Sequence, residues 1–423
     1  MPSASSAPTL PFLERLLDGE KVEWKTLGEV GTFVRGTSFQ KKDFEEKGVG
    51  CIHYGEIYTR YSLFAEKTIS YLNEEIANKA RKAGYGDLII ATTSENDDDV
   101  CKSVAWLGSE NIVVSNDACY YHHTLNPKYV AYFFRTDEFQ RQKRTYITGT
   151  KVKRVNANDL AKITIPIPPL RVQSRIVEIL DKFTQLEAEL EAELEARNKQ
   201  YDFYRNRLLD FALRDDLKGQ VEWKTLGEVA ELVRGNGLSK KDFSEFGVPA
   251  IHYGQIYTYY GNETEETLSF VSPETAKKLQ KVYPGNIVIT NTSENVEDVC
   301  KAVLYSGNVE AVTGGHATII RPKDYILPKY LVYYTLTLDF FTQKKRLAKG
   351  AKVIDVSAKD LAKIVLPLPP LSEQRRIVEI LDRFDTLTNS ISEGLPREIA
   401  LRRKQYEYYR DALLRFPPPA PTA

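Results

Sequence analysis

The chain has 423 residues, 42% of them hydrophobic and 27% charged, a composition expected of a water-soluble globular protein with room for two domains of ordinary size. No apolar run approaches the roughly 18 residues of a membrane helix. The opening MPSASSAPTLPFLERLL lacks the cationic, apolar and cleavage-site order of a secretory signal, so a cytoplasmic protein is expected. The 58 basic and 58 acidic residues cancel, so any nucleic-acid partner has to be argued from where the charges fall.

In chain order, a short helical segment is expected over 1–21. At Val22 the run VEWKTLGEV begins, and it returns letter for letter from Val221 to Val229. The copy stays in step, pairing Arg35 with Arg234, His53 with His252, Tyr54 with Tyr253, and TSENDDDVCK from Thr93 with TSENVEDVCK from Thr292. After two indels, DLAKI recurs at Asp159 and Asp360, and RIVEILD at Arg175 and Arg376. A period near 200 residues is far longer than the roughly 20 to 50 of a solenoid unit. It marks the tandem duplication of a whole domain with its connector. Such a chain can fold with pseudo-two-fold symmetry, and a two-fold reader matches an object of like symmetry, of which duplex DNA is the commonest.

Within each copy, GDLIIATT from Gly86 and GNIVITNT from Gly285 read as buried strands bounded by glycine and polar turns. ITIPIPPL (Ile163 to Leu170) and IVLPLPPL (Ile364 to Leu371) read as a short strand and a proline gate that stops strand pairing and pre-sets a helix. Beyond the first gate, Ile176, Leu180, Phe183, Leu190, Leu194, Tyr201, Tyr204, Leu208 and Phe211 fall on steps of three and four, interrupted by Glu187 and Arg197. That is coiled-coil patterning over a helix of about 45 residues, roughly 65 Å long. The second copy keeps the pattern but holds Gly394, Leu395 and Pro396 where four extra residues must lie, so a kink or break is expected there. Two such helices most simply pack antiparallel as a spacer.

Bases concentrate in the globular parts. Glu138 to Arg154 holds Arg141, Lys143, Arg144, Lys151, Lys153 and Arg154 against one acid, and Asp339 to Lys352 holds Lys344, Lys345, Arg346, Lys349 and Lys352 against one. The balancing acids lie in the connector, LEAELEAELEAR. A charge run is often a solvated face, but recurrence in both copies favours function. Cys51, Cys101, Cys119 and Cys300 show no C-x-x-C spacing, so reduced cysteines packed in strands are expected and no metal site. His122 and His123 are adjacent, and on a strand they face opposite ways.

The chain resembles the specificity subunits of Type I restriction-modification systems. The resemblance is carried by EWKTLGEV followed by Val34-Arg35-Gly36 and Val233-Arg234-Gly235, by the GDLII and GNIVI strands, by the GTKV and GAKV turns at Gly149 and Gly350, and above all by IPIPPLRVQSRIVEILDKF and LPLPPLSEQRRIVEILDRF. It implies an α+β fold: two mixed α/β target-recognition domains in a tandem pseudo-two-fold repeat, separated by two long antiparallel coiled-coil helices. The expected division is a helical segment over 1–21, a first recognition domain over 22–165, a central long helix over 166–216, a second recognition domain over 217–366, a distal long helix over 367–416, and a disordered proline-rich tail over 417–423. The resemblance further implies that each domain reads half of a bipartite double-stranded DNA site while the helices set the gap. The chain itself would be non-catalytic and hold no cofactor. Two modification subunits would bind S-adenosylmethionine, and restriction subunits would bind ATP and magnesium.

The residues agree with that silence on catalysis. The Pro-Pro pairs at Pro168 and Pro369 are flanked by Ile and Leu rather than by the polar and aromatic residues of an adenine-methyltransferase loop, and the dipeptide Gly-Lys of a phosphate cradle never occurs. Two rival readings are an enzyme of duplicated halves using His53 and His252 as bases, and a coiled-coil scaffold that binds no nucleic acid. Phosphate contacts favour Lys, Arg and amides, and base readout favours Arg, Asn, Gln, Ser, Thr and acids on loops. The candidate DNA-binding residues of the first domain are therefore Arg35, Lys41, Lys42, His53, Tyr54, Glu56, Tyr58, Arg60, Thr92, Thr93, Ser94, Asn96, Arg144, Lys151, Lys153 and Arg154. Those of the second are Arg234, Lys240, Lys241, His252, Tyr253, Gln255, Tyr257, Tyr259, Thr292, Ser293, Asn295, Lys344, Lys345, Arg346 and Lys352. Asp97 to Asp99 are expected to point to solvent. Glu56 against Gln255, Arg60 against Tyr259, and Thr92 against Asn291 are the differences expected to set the two half-sites apart.

Overall fold

A computed structural model describes residues 11–214, 217 and 219–417, in two compact units: Met1–Glu189 with Ala400–Ala423, and Leu190–Ile399. Residues 1–10 of the expected N-terminal segment lie outside the described residues; Pro11–Leu17 is helical. The expected tail also lies outside them, except for Pro417, whose carbonyl accepts from Trp24 Nε1 at 2.9 Å.

The first unit is built on two five-stranded sheets. One runs Gly31–Arg35, Ala118–His123, Leu88–Ala91, Ser103–Trp106 and Phe64–Ala65 in spatial order. The other runs Phe44–Glu45, Ser70–Leu72, Val49–Ile52, Ile112–Val114 and Lys82–Ala83. Leu88–Ala91 lies third of five and is buried along its whole length, which is why its sequence is a continuous apolar run rather than an alternation. The second unit repeats both sheets in the same order, with Ile287–Thr290 as the equivalent fully buried strand.

Each unit closes through a two-stranded ladder, Glu23–Thr26 with Thr164–Ile167 and Glu222–Thr225 with Val365–Leu368. The prolines do not all stop pairing: Pro166 stands opposite Trp24, and Pro367 opposite Trp223. A ladder of two strands leaves each strand an unpaired edge, where a missing N–H costs nothing. The double prolines then release the chain into helix at Leu170 and Leu371. A buried glutamine one turn later holds the gate. Gln173 donates to Pro168 O at 2.8 Å and accepts from Asn126 N at 3.0 Å, and Gln374 donates to Pro369 O at 2.9 Å and accepts from Leu327 N at 2.8 Å.

The first long helix, Leu170–Leu209, has 40 residues, about 60 Å at 1.5 Å each. Its counterpart is two helices, Leu371–Asn389 and Gly394–Leu413. The break falls at the glycine read from the sequence: Gly394 has φ +72°, and a Cβ there would stand 2.4 Å from Thr386 O. Helical stretches run antiparallel within each unit. In the first, Phe183 stacks on Tyr409 with centroids 5.4 Å apart, and one turn on Glu187 pairs with Arg403. The acid that interrupts the apolar seam is therefore matched by a base across it. In the second, Tyr201 and Tyr204 flank Phe384, and Arg214 meets Glu373 at 2.6 Å. The seam residues Ile176 and Leu180 join Tyr129 to Phe134 in the core of the first unit, as Ile377 and Leu381 join Tyr330 to Tyr334 in the second. Among the described residues no helix is long and apolar enough to cross a membrane, and no cluster of three His, Cys, Asp or Glu could hold a metal.

All four cysteines are free and buried. Only Cys51 and Cys119 lie in strands. Cys101 and Cys300 instead end matching turns at φ +67°, and burial pushes both thiols up to about 12.

Candidate nucleic-acid interface

In the first unit the buried strand Leu88–Ala91 ends at Thr92, and Thr93–Ser94 leaves it to pair with Lys153–Arg154. Thr92 is fixed at the fork: its amide donates to Asp117 O at 3.0 Å, and its own carbonyl accepts from Val155 N at 3.2 Å. Arg35, at the end of its strand, donates from Nε to Asn116 O at 3.4 Å. These elements enclose a cleft of about 240 Å³ walled by Arg35, Thr92, Thr93, Asn116, Asp117 and Arg154. Its lining includes two guanidinium groups and a carboxylate, side-chain donors and acceptors of the kinds that phosphates and base edges take.

The rim continues into a hairpin closed by Thr148 and Arg154, with 2.9 Å bonds in both directions. Gly149 makes the turn at φ +90°, where a Cβ would lie 2.1 Å from Val152 O. The tip holds Lys151 and Val152 exposed. The second unit repeats the frame: Thr292–Ser293 pairs with Ile354–Asp355, Asn291 N donates to His316 O at 2.8 Å, and Arg234 Nε donates to Gly315 O at 3.2 Å. Lys349 and Asp355 close the matching hairpin, with Gly350 at its turn and Lys352 exposed at its tip.

Of the residues singled out by sequence, Arg35, Thr92, Thr93 and Arg154 come together in this cleft, with Ser94 and Lys153 one register step away. Lys41, Lys42, Lys151 and Arg154, and in the second unit Lys240, Lys241, Lys345, Arg346 and Lys352, are exposed with no ion pair among the described residues. Arg60, exposed, lies 3.9 Å from Glu56, and Tyr259 is 62% exposed.

Several candidates have internal duties instead. Lys344 is buried and donates to the carbonyls of Glu297 and Val299 at 2.8 and 2.6 Å, as Lys143 does to Asp98 and Val100, so neither ammonium can reach a phosphate. Glu56 is 4% exposed: it accepts from Ser70 Oγ at 2.6 Å and from His53 N at 3.0 Å, closing the N-terminus of the helix Tyr54–Thr59. Gln255 bridges the equivalent groups with the serine bond reversed: its Nε2 donates to Ser269 Oγ at 2.6 Å, and its Oε1 accepts from His252 N at 3.4 Å. Both are capping-box residues, so this pair is withdrawn as a reader of bases. Asn291 is fully buried between Val356 O and Thr318 Oγ1 and is withdrawn too.

His53 and His252 are the caps of those helices, each ring Nδ1 accepting from a glycine amide at 3.2 Å, and burial lowers both pKa values. A ring nitrogen occupied in this way is not a free base, so the duplicated-enzyme reading finds no support here. Tyr54 and Tyr253 pack on these histidines, and Tyr58 and Tyr257 donate to Thr93 O and Thr292 O at 2.6 and 2.7 Å, bracing the fork from behind. Asn96 and Asn295 hold their own turns against Asp99 and Asp298. Asp97 and Asp98 do not point to solvent alone: they pair with Lys153 at 3.1 Å and Arg144 at 3.5 Å. Sequence reasoning passed over Asp117, His316 and Asp355. Aligning the two copies letter by letter sets Asp117 against His316 and Arg154 against Asp355, and that change of charge was the available signal.

The family model of the Type I restriction modification DNA specificity domain matches residues 19–196 and again 219–401. The chain belongs to that family. It is 37% identical over 430 residues to the specificity subunit of the Escherichia coli Type I restriction enzyme EcoR124I/EcoR124II, spanning 97% of this chain and 98% of the relative. It is 28% identical to a Haemophilus influenzae protein described as a putative type I restriction enzyme specificity subunit, over 96% and 98%. Among solved structures, a chain from a study of type I R-M assembly and conformational transition shares the fold with a TM-score of 0.64 at 20% identity, covering 97% and 99%. The HsdS subunit of Thermoanaerobacter tengcongensis does so at 0.50 and 20%, covering 94% and 97%. As a member of the specificity family, the chain is a DNA-recognition protein of a Type I system, and the scaffold reading has no support.

Proposed function

We propose that each unit reads one half of a bipartite duplex DNA site at its strand fork and the adjoining hairpin, and that the helical connectors set the gap between the halves and dock two modification subunits. The observation that carries this reading is the repeated frame. An arginine at a strand end, a forked strand and a glycine-turned hairpin with an exposed lysine recur at equivalent positions of both copies. Exposed lysines in each unit, unpaired among the described residues, supply sequence-independent attraction to phosphates, and the groups at the strand fork supply selection.

The chain carries no catalytic centre in this reading. Methyl transfer belongs to modification subunits that bind S-adenosylmethionine, and cleavage to restriction subunits that bind ATP and magnesium. The test is reconstitution: the purified chain alone is expected to show no methyltransferase, nuclease or ATPase activity and, added to its modification subunit, to direct adenine methylation to a two-part site. A catalytic rate that survives repurification of the isolated chain overturns the reading.

A further inference from the structure

Arg154 and Asp355 stand at one register position of the two copies. Arg154 is paired with Thr93 and Asp355 with Thr292, and each closes its hairpin through two main-chain bonds, to Thr148 and to Lys349. The neighbouring arginines, Arg35 and Arg234, are the same residue anchored in the same way. The backbone frame is thus kept while the charge at its rim is reversed. Arg154 is exposed and Asp355 half-exposed, and neither side chain has a hydrogen-bond or ion-pair partner among the described residues.

A contact to phosphate at this position would require a cation in both copies, and a carboxylate there would be repelled. A phosphate contact common to both copies is thereby excluded, and base edges are the groups that either charge can address. We propose that Arg154 and Asp355 are the specificity-determining residues that make the two half-sites differ: at equivalent steps Arg154 takes a guanine through O6 and N7, and Asp355 accepts from the N4 amino group of a cytosine. The turn beside them changes too. His316 in the second unit lies 3.0 Å from Thr292 Oγ1 with its ring 4.8 Å from Tyr253, and Asp117 holds that place in the first. This assignment rests on the half-site reading proposed above.

The test is selection from duplexes randomised in both halves by the full chain complexed with its modification subunit. With Arg154→Ala, discrimination at one position of the first half-site is expected to fall roughly 10- to 100-fold while every other position holds. Asp355→Arg is expected to move one position of the second half-site from cytosine to guanine. Asp355→Asn, which keeps the shape, guards against misfolding and is expected to shift the same position toward adenine. Unchanged preferences in all three variants, or a uniform loss over all sequences, overturn the assignment. A wild-type complex that selects no two-part site overturns the half-site reading and this proposal with it.

Discussion

Lys143 carries its ammonium group into the interior of the first unit and donates to the carbonyl of Val100 at 3.0 Å. Lys344 repeats the bond with Val299 at 2.6 Å. Each lysine also takes a carbonyl two residues earlier, so it clamps the turn that ends in the positive-φ cysteine beside the strand fork. Replacing Lys143 with Met leaves two carbonyls unsatisfied and is expected to cost about 2 to 3 kcal/mol. Lys151→Ala is expected to stay within about 0.5 kcal/mol. Denaturant melts of the two variants check the contrast; equal stability would return Lys143 to the surface.

The capping role of Glu56 and Gln255 gives a second expectation. Exchanging them, Glu56→Gln with Gln255→Glu, is expected to leave both half-sites unaltered, because the side chains face Ser70 and Ser269 rather than DNA. Glu56→Ala is expected to lower stability by about 1 kcal/mol through the lost cap. Methylation mapping of the exchanged chain decides it, and a moved half-site would restore these residues as readers.

The free lysines predict a salt dependence. Removing Lys41, Lys42 or Lys151 is expected to weaken binding to all sequences alike and to lower the slope of log affinity against log salt by about 0.9 per lost contact. Lys143→Met is expected to leave the slope alone. Binding titrations at several salt concentrations separate the two groups.

His123 sets a pH dependence. Burial, with His122 beside it, pushes its pKa down to about 4 from 6.5. The unfolded chain then binds the extra proton first, so the stabilisation is complete above about 6.5 and is lost as pH falls toward 4, by up to about 3 kcal/mol. His123→Leu is expected to flatten that part of the stability profile. An identical profile in the variant would place the titration elsewhere.

Much of this architecture was legible because its signals are local. Letter-for-letter recurrence gives the duplication, the apolar runs at Leu88 and Ile287 give the buried strands, and Gly394 gives the helix break. The site was only partly legible. Arg35, Thr92, Thr93 and Arg154 were singled out separately, but what joins them is pairing between strands some sixty residues apart in sequence, which no local pattern reports. The same limit explains the errors: Glu56, Asn291 and Lys344 have the chemistry of DNA-reading residues, and only tertiary packing reveals that Ser70, Val356 and Val299 already use it.

Genome-wide mapping of methylated adenines, in host cells with and without this chain beside its modification subunit, tests the central claim most directly. The account predicts chain-dependent methylation at an interrupted site whose two halves are related but not identical. Methylation at a continuous site, or a pattern unchanged by loss of the chain, would contradict it.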